Sequence, residues 1–160
     1  MKLKNLVKAC SRGECRLNLE NVNVRRGEDG ATVCEATDGH ICVQLTYPVK
    51  QGPAWLADLA PGQYTPDDWV DLVCEGRAAT PVPAALTFPD LEQVIPRDDA
   101  GFALVRIGID LALVNVLSSI LDTAGTTFMF TSDIGPIRID HRCPVDGGVA
   151  VAVIMPWKLP

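Results

Sequence analysis

The stretch Cys34-Glu35-Ala36-Thr37-Asp38-Gly39-His40-Ile41-Cys42 sets one of the chain's two histidines between two cysteines and beside an Asp-Gly pair. Thiol, imidazole and carboxylate at this range are the ingredients of a metal site, or of a nucleophilic Cys-His pair with an orienting acid. Zinc ligands normally come as closely spaced pairs, whereas Cys34 and Cys42 are eight apart, with His141 and Cys143 the only remote candidates for a further ligand. Nothing local supports the nucleophilic pair. The spacing fits strand cysteines packed as small apolar residues better than either chemistry. No metal, cofactor or catalytic residue is therefore expected, and the chain reads as non-enzymatic.

The elements around this stretch explain its placement. Thr32 to Thr37 and Ile41 to Leu45 alternate as strands, and Asp38-Gly39 is a preferred two-residue hairpin loop, because both central positions need positive φ. Residues 15–20 and 21–25 alternate in the same way, with a turn at 27–30. Before them, Leu3, Leu6, Val7 and Cys10 follow the spacing of one α-helical face, while Lys4, Lys8 and Arg12 stand four apart on another. Residues 46–90 are rich in proline and predict a surface-wrapping connection with short helices near 55–59 and 66–72. From 102 the order of elements repeats: a strand at 102–109, Asp110 as N-cap, a buried helix at 111–121, then strands at 126–131, 137–142 and 149–155. The second half reads β-α-β-β-β, and the first half, less its opening strand, α-β-β-β. This is an α+β chain with mostly antiparallel sheets.

The totals agree with a folded domain. At 160 residues, with 48% hydrophobic and 21% charged content, one core can form without staples. Six irregularly spaced cysteines with no Cys-x-x-Cys pair favour reduced thiols, and no apolar run approaches a membrane span, so a cytoplasmic protein with no membrane partner is expected. The net charge of −6 argues against a surface coated for nucleic acid. The first sixteen residues differ, with Lys2, Lys4, Lys8, Arg12 and Arg16 against Glu14 alone. A charged stripe is often just a solvated face; the functional alternative for Lys4, Lys8 and Arg12 is phosphate contact with double-stranded DNA.

Three stretches, in order, carry a resemblance. Ala36-Thr37-Asp38-Gly39-His40 is similar to the hairpin signature of the bacterial DNA polymerase III beta subunit, the sliding clamp, where Arg-Leu usually follows. Phe88-Pro89-Asp90-Leu91-Glu92-Gln93-Val94-Ile95-Pro96 resembles the clamp's Phe-Pro-Asp-Tyr segment ending in Ile/Leu-Pro. Val153-Ile154-Met155-Pro156-Trp157-Lys158-Leu159 resembles its closing Val-Met-Pro-Met-Arg-Leu.

The resemblance implies one clamp-like domain of two β-α-β-β-β units over 1–160: a first unit at 1–45, a Pro-rich connection at 46–101 carrying Phe-Pro-Asp, and a second unit at 102–160. It implies a processivity-factor type of accessory to DNA replication, with an apolar pocket for the clamp-interaction peptides of polymerase and repair proteins. The matching positions are Thr37, Gly39 and His40; Pro89, Gln93 and Val94; Asp110 and Leu113; Ile134 and Pro136; and Val153, Ile154, Met155, Pro156, Trp157, Lys158 and Leu159. Clamp rings contain several such domains, so a ring here needs a homo-oligomer of many copies; the alternative is a monomeric peptide-binding module that never encircles DNA. Ile41-Cys42 in place of Arg-Leu, Leu91 in place of an aromatic, and Trp157 in place of Met imply a changed peptide preference.

Overall fold

A computed structural model of the chain describes residues 2–13, 19–49, 51–83, 87–95, 109–121, 126–130, 135–143 and 147–155. Alternation in the first half gives β1 (Val22–Arg26), β2 (Thr32–Thr37) and β3 (Ile41–Tyr47), an antiparallel meander. In the second half β5 (Thr126–Phe130), β6 (Ile137–Arg142) and β7 (Val149–Ile154) form another. The two join where β3 pairs with β7, Cys42 opposite Val153 and Leu45 opposite Ala150. With β4 (Gly62–Tyr64) added beside β1, the described residues form one antiparallel sheet of seven strands, in the order β4-β1-β2-β3-β7-β6-β5. The sequence-predicted strand at 15–20 lies largely outside the described residues, with Leu19 and Glu20 in a turn, and that at 102–109 lies outside them except for Ile109.

Helices cover one face. The segment Leu3–Ala9 is wound as a 3-10 helix instead of the expected α-helix. Its buried residues are Leu3, Leu6 and Ala9, recurring every three as that winding requires. Lys4 and Lys8, four apart, consequently point about a third of a turn away from each other, and Arg12 lies beyond the helix end. All three are exposed, but they do not form the single stripe that α-helical spacing predicts.

The Pro-rich segment corrects the expectation of a surface wrap. It holds α1 (Trp55–Asp58), β4 and α2 (Pro66–Glu75), and it delivers Leu56, Tyr64 and Trp69 to the main core. Thr65 caps α2, its Oγ1 accepting from the Asp68 amide at 3.2 Å, and Pro66 occupies the first turn, where a missing N–H costs nothing. Trp69 Nε1 donates to the Leu3 carbonyl at 2.9 Å, joining α2 to the first helix. Arg26 donates to the carbonyls of Ala57 and Leu59, both at 2.7 Å, and so ties the end of α1 to the sheet.

Asp110 is the N-cap of α3 (Leu111–Ile120), Oδ1 accepting from the Ala112 amide at 2.8 Å. The helix is less enclosed than its apolar sequence suggests: Leu117 and Ile120 are buried, while Leu111 is 79% exposed. Strand alternation sends Ala36, Ile41, Val43, Ala152 and Ile154 into the helix-covered core. The alternate residues face the other way, and that outer face carries the candidate site.

Candidate functional site: a groove on the outer face of the sheet

The hairpin sets one end of the site. Thr37 pairs with Cys42, and the Asp38 amide donates to the Ile41 carbonyl at 3.3 Å, so the loop residues are Gly39-His40, one position later than expected. Gly39 takes φ 91°, which a side chain would strain. Asp38 Oδ1 accepts from the amides of His40 (2.8 Å) and Ile41 (2.9 Å). Thr37 Oγ1 accepts from the Gly39 amide (3.1 Å) and donates to the Ile41 carbonyl (2.8 Å). Nearly every polar group of the tip is thus committed locally, and His40 stays exposed. Its carbonyl accepts from the Met155 amide at 3.1 Å, fastening the hairpin to the chain just past β7.

The floor is a small apolar cluster separate from the main core, formed by Cys42 and Val153 on adjacent strands with Phe88 and Leu91 laid over them. The segment 87–95 builds a wall. Its short 3-10 helix (Leu91–Gln93) is capped by Asp90, whose Oδ1 accepts from the Glu92 amide at 3.1 Å. The resulting groove of about 180 Å³ is lined by Thr37, Gly39, His40, Pro89, Val94, Val153 and Met155 from the sequence-predicted set, and by Leu19, Ile41, Cys42 and Leu91 besides. Val94 (48% exposed) and Met155 (44%) are apolar residues left at the rim.

Other predicted positions lie elsewhere. Gln93 is exposed and donates to Asp90 Oδ2 at 3.1 Å, outside the groove lining. Asp110 caps α3, and Leu113 packs against the main core on the helix side of the sheet. Ile154 points into that core opposite Ile41 and Ile137, as alternation from Val153 requires. Pro136 precedes β6 one step beyond the Ile137–Ile154 pair and does not line the groove. Ile134, Pro156, Trp157, Lys158 and Leu159 lie outside the described residues. Ile41, Cys42 and Leu91 are absent from the predicted set, standing in the sequence only as departures from the resembling motifs, and Leu19 has no sequence signal.

The cysteines find their explanation in the pleat. Cys34 faces the helix-covered core and Cys42 the outer face, so the two thiols lie on opposite sides of the sheet and cannot share an ion. Burial pushes both thiols up to about 12, with Glu35 raising them further and a Val153 backbone hydrogen bond acting the other way on Cys42. A nucleophilic cysteine needs the opposite shift. Among the described residues no cluster of three metal-ligating side chains occurs.

Behind the wall is a polar network. Glu35, 3% exposed, accepts from Asn23 Nδ2 (2.9 Å), Arg25 Nε (3.0 Å) and Gln44 Nε2 (2.9 Å). Arg25 Nη2 donates in turn to Glu92 Oε1 at 2.7 Å. Partial burial works to lower the Arg25 pKa, but Glu35 and then Glu92 outweigh it, and the guanidinium ends with a raised value.

The fold is that of the bacterial sliding clamps. A DNA polymerase sliding clamp from Pseudomonas aeruginosa superposes with a TM-score of 0.73 at 15% identity over 99% of this chain and 64% of that one. The Caulobacter crescentus pol III beta gives 0.67 at 18% identity, over 98% of this chain and 63% of its own. A sliding clamp (DNA polymerase III subunit beta) from Bartonella birtlesii, bound to griselimycin, gives 0.63 at 15% identity, over 99% and 64%. The match thus spans less than two thirds of each clamp chain. No protein-family model matches the sequence, and no curated protein matches it.

Proposed function

We propose that the protein is a sliding-clamp-like accessory of DNA replication, non-enzymatic and cytoplasmic, whose outer-face groove binds the clamp-interaction peptides of polymerase or repair proteins. The observation that carries this reading is convergence: residues near 40, near 90 and near 154, remote in sequence, meet as one apolar groove with exposed Val94 and Met155 at its rim. An apolar trough with a few polar groups at one end is what a short linear peptide needs, anchors buried and register fixed. Methionine at the rim suits varied occupants.

The test uses a fluorescein-labelled peptide carrying Gln-Leu and a C-terminal Phe, followed by anisotropy. Binding is expected, and removal of Trp157 to Pro160 is expected to weaken it about 30-fold, the size of a lost hot-spot contact. His40→Ala should weaken it less, because its backbone tie to Met155 survives. Unchanged affinity in both variants would remove the pocket assignment.

A second reading, in which copies of the protein close a ring on DNA, rests on the fold shared with sliding clamps. Among the described residues β5 ends the sheet, and its Phe128 is 44% exposed.

A further inference from the structure

Among the described residues, the groove's wall is tied to the sheet by one ion pair, besides the packing of Phe88 and Leu91 on Cys42 and Val153. Within 87–95 every backbone hydrogen bond is internal: the amides of Val94 and Ile95 donate to the Leu91 carbonyl at 3.1 Å, and that of Gln93 to Asp90 at 3.3 Å. Among the described residues, the polar contact from this segment to the sheet is Glu92 to Arg25. Arg25 is held in place from behind. Its Nε is fixed by the buried Glu35 carboxylate, which Asn23 and Gln44 brace from the flanking strands, in register across β1, β2 and β3. A guanidinium is suited to this double attachment, because its planar fork offers donors in two directions at once. Glu92 sits in the same helical turn as Leu91, which covers Cys42, and two residues from Val94 at the rim.

We infer that Arg25 is a positioning residue for the groove: braced on Glu35, it holds Glu92 and with it the Leu91–Val94 wall, and so sets how tightly a peptide is gripped. The inference rests on the peptide-binding reading, yet one of its consequences can be read without any peptide. If the wall swings out, the Cys42 thiol beneath Leu91 becomes reachable.

The experiment therefore pairs two measurements on the full chain. The first is the rate of Cys42 modification by iodoacetamide in the unliganded protein, resolved from the other cysteines by mass spectrometry of the digested chain. The second is affinity for the labelled peptide described above. The variant is Glu92→Ala, with Glu92→Asp as the conservative partner; both leave the buried Arg25–Glu35 pair intact, whereas Arg25→Ala would strand a buried carboxylate and endanger folding. Glu92→Ala should speed Cys42 modification and weaken the peptide, each about fivefold, as loss of a partly exposed ion pair implies. Glu92→Asp should recover part of both. An unchanged Cys42 rate overturns the inference, and so does a faster rate with unchanged affinity. Failure of the unaltered protein to bind the peptide would overturn the functional reading instead, and the Cys42 rate would then decide the wall's attachment alone.

Discussion

At the scale of single residues, chemistry that looks reactive in the sequence turns out to be packing. Cys10, Cys34 and Cys42 all have their thiols pushed up to about 12 by burial, and this has a consequence for stability. Below about pH 8.5 both folded and unfolded chains hold these protons. Above it the unfolded chain releases them while the folded chain keeps them, so stability falls as pH rises toward 12, by up to ~1.4 kcal/mol per pH unit for each thiol. Urea midpoints at pH 8, 9 and 10 should therefore decline steeply, and Cys34→Ala should make that decline shallower whatever it does to absolute stability. An equal slope in the variant would contradict the assignment. The sequence told half of this story. Eight-residue spacing spoke against a metal, but that Cys34 and Cys42 occupy opposite faces follows only from the register, where Cys34 meets Leu45 and Cys42 meets Thr37.

At the scale of elements, legibility followed the strength of local signals. The strands Thr32–Thr37 and Ile137–Arg142 match their predicted bounds because alternation and flanking turns both mark them. The Thr65-Pro66 start of α2 was visible in part, as Pro66 with the acids behind it, and it makes a direct prediction. Thr65→Ala removes the acceptor for the Asp68 amide and should cost ~1 kcal/mol, measured as a lower urea midpoint, while Thr65→Ser should restore most of it. No loss in the alanine variant would mean the cap is idle. β4 was not legible: three residues, one of them Gly62 at φ 143°, carry too little pattern, and their pairing with Val22 to Val24 is settled by tertiary contact. The winding of the first helix was misread for a related reason. Over seven residues the periods 3.0 and 3.6 differ by little, and what decides is which apolar side chains fit beside α2 and α3. Of the groove lining, Thr37, Gly39, His40, Pro89, Val94, Val153 and Met155 stand in the predicted set, whereas Ile41, Cys42 and Leu91 do not, and Leu19 enters only because the folded chain carries it there.

At the scale of the whole molecule, the two readings of function part company over mass and salt. A ring-forming protein should sediment as a multimer and bind duplex DNA with an affinity that falls steeply with salt, each lost phosphate contact at Lys4 or Lys8 reducing the log–log slope by about 0.9. A strictly monomeric species at high concentration would leave the peptide-binding module standing without the ring. The helices argue for modest DNA attraction, since α3 (Leu-Ala-Leu-Val-Asn-Val-Leu-Ser-Ser-Ile) has no charged residue. One feature of the sheet also bears on how the protein comes into being. β3 leaves the ribosome before its partner β7, which ends at Ile154, and the Met155 amide that fastens His40 follows β7. Until β7 emerges the hairpin therefore carries a bare, apolar strand edge, a hazard for chains waiting on long-range partners. The groove is thus complete only once β7 has paired with β3 and brought Val153 and Met155 beside the hairpin.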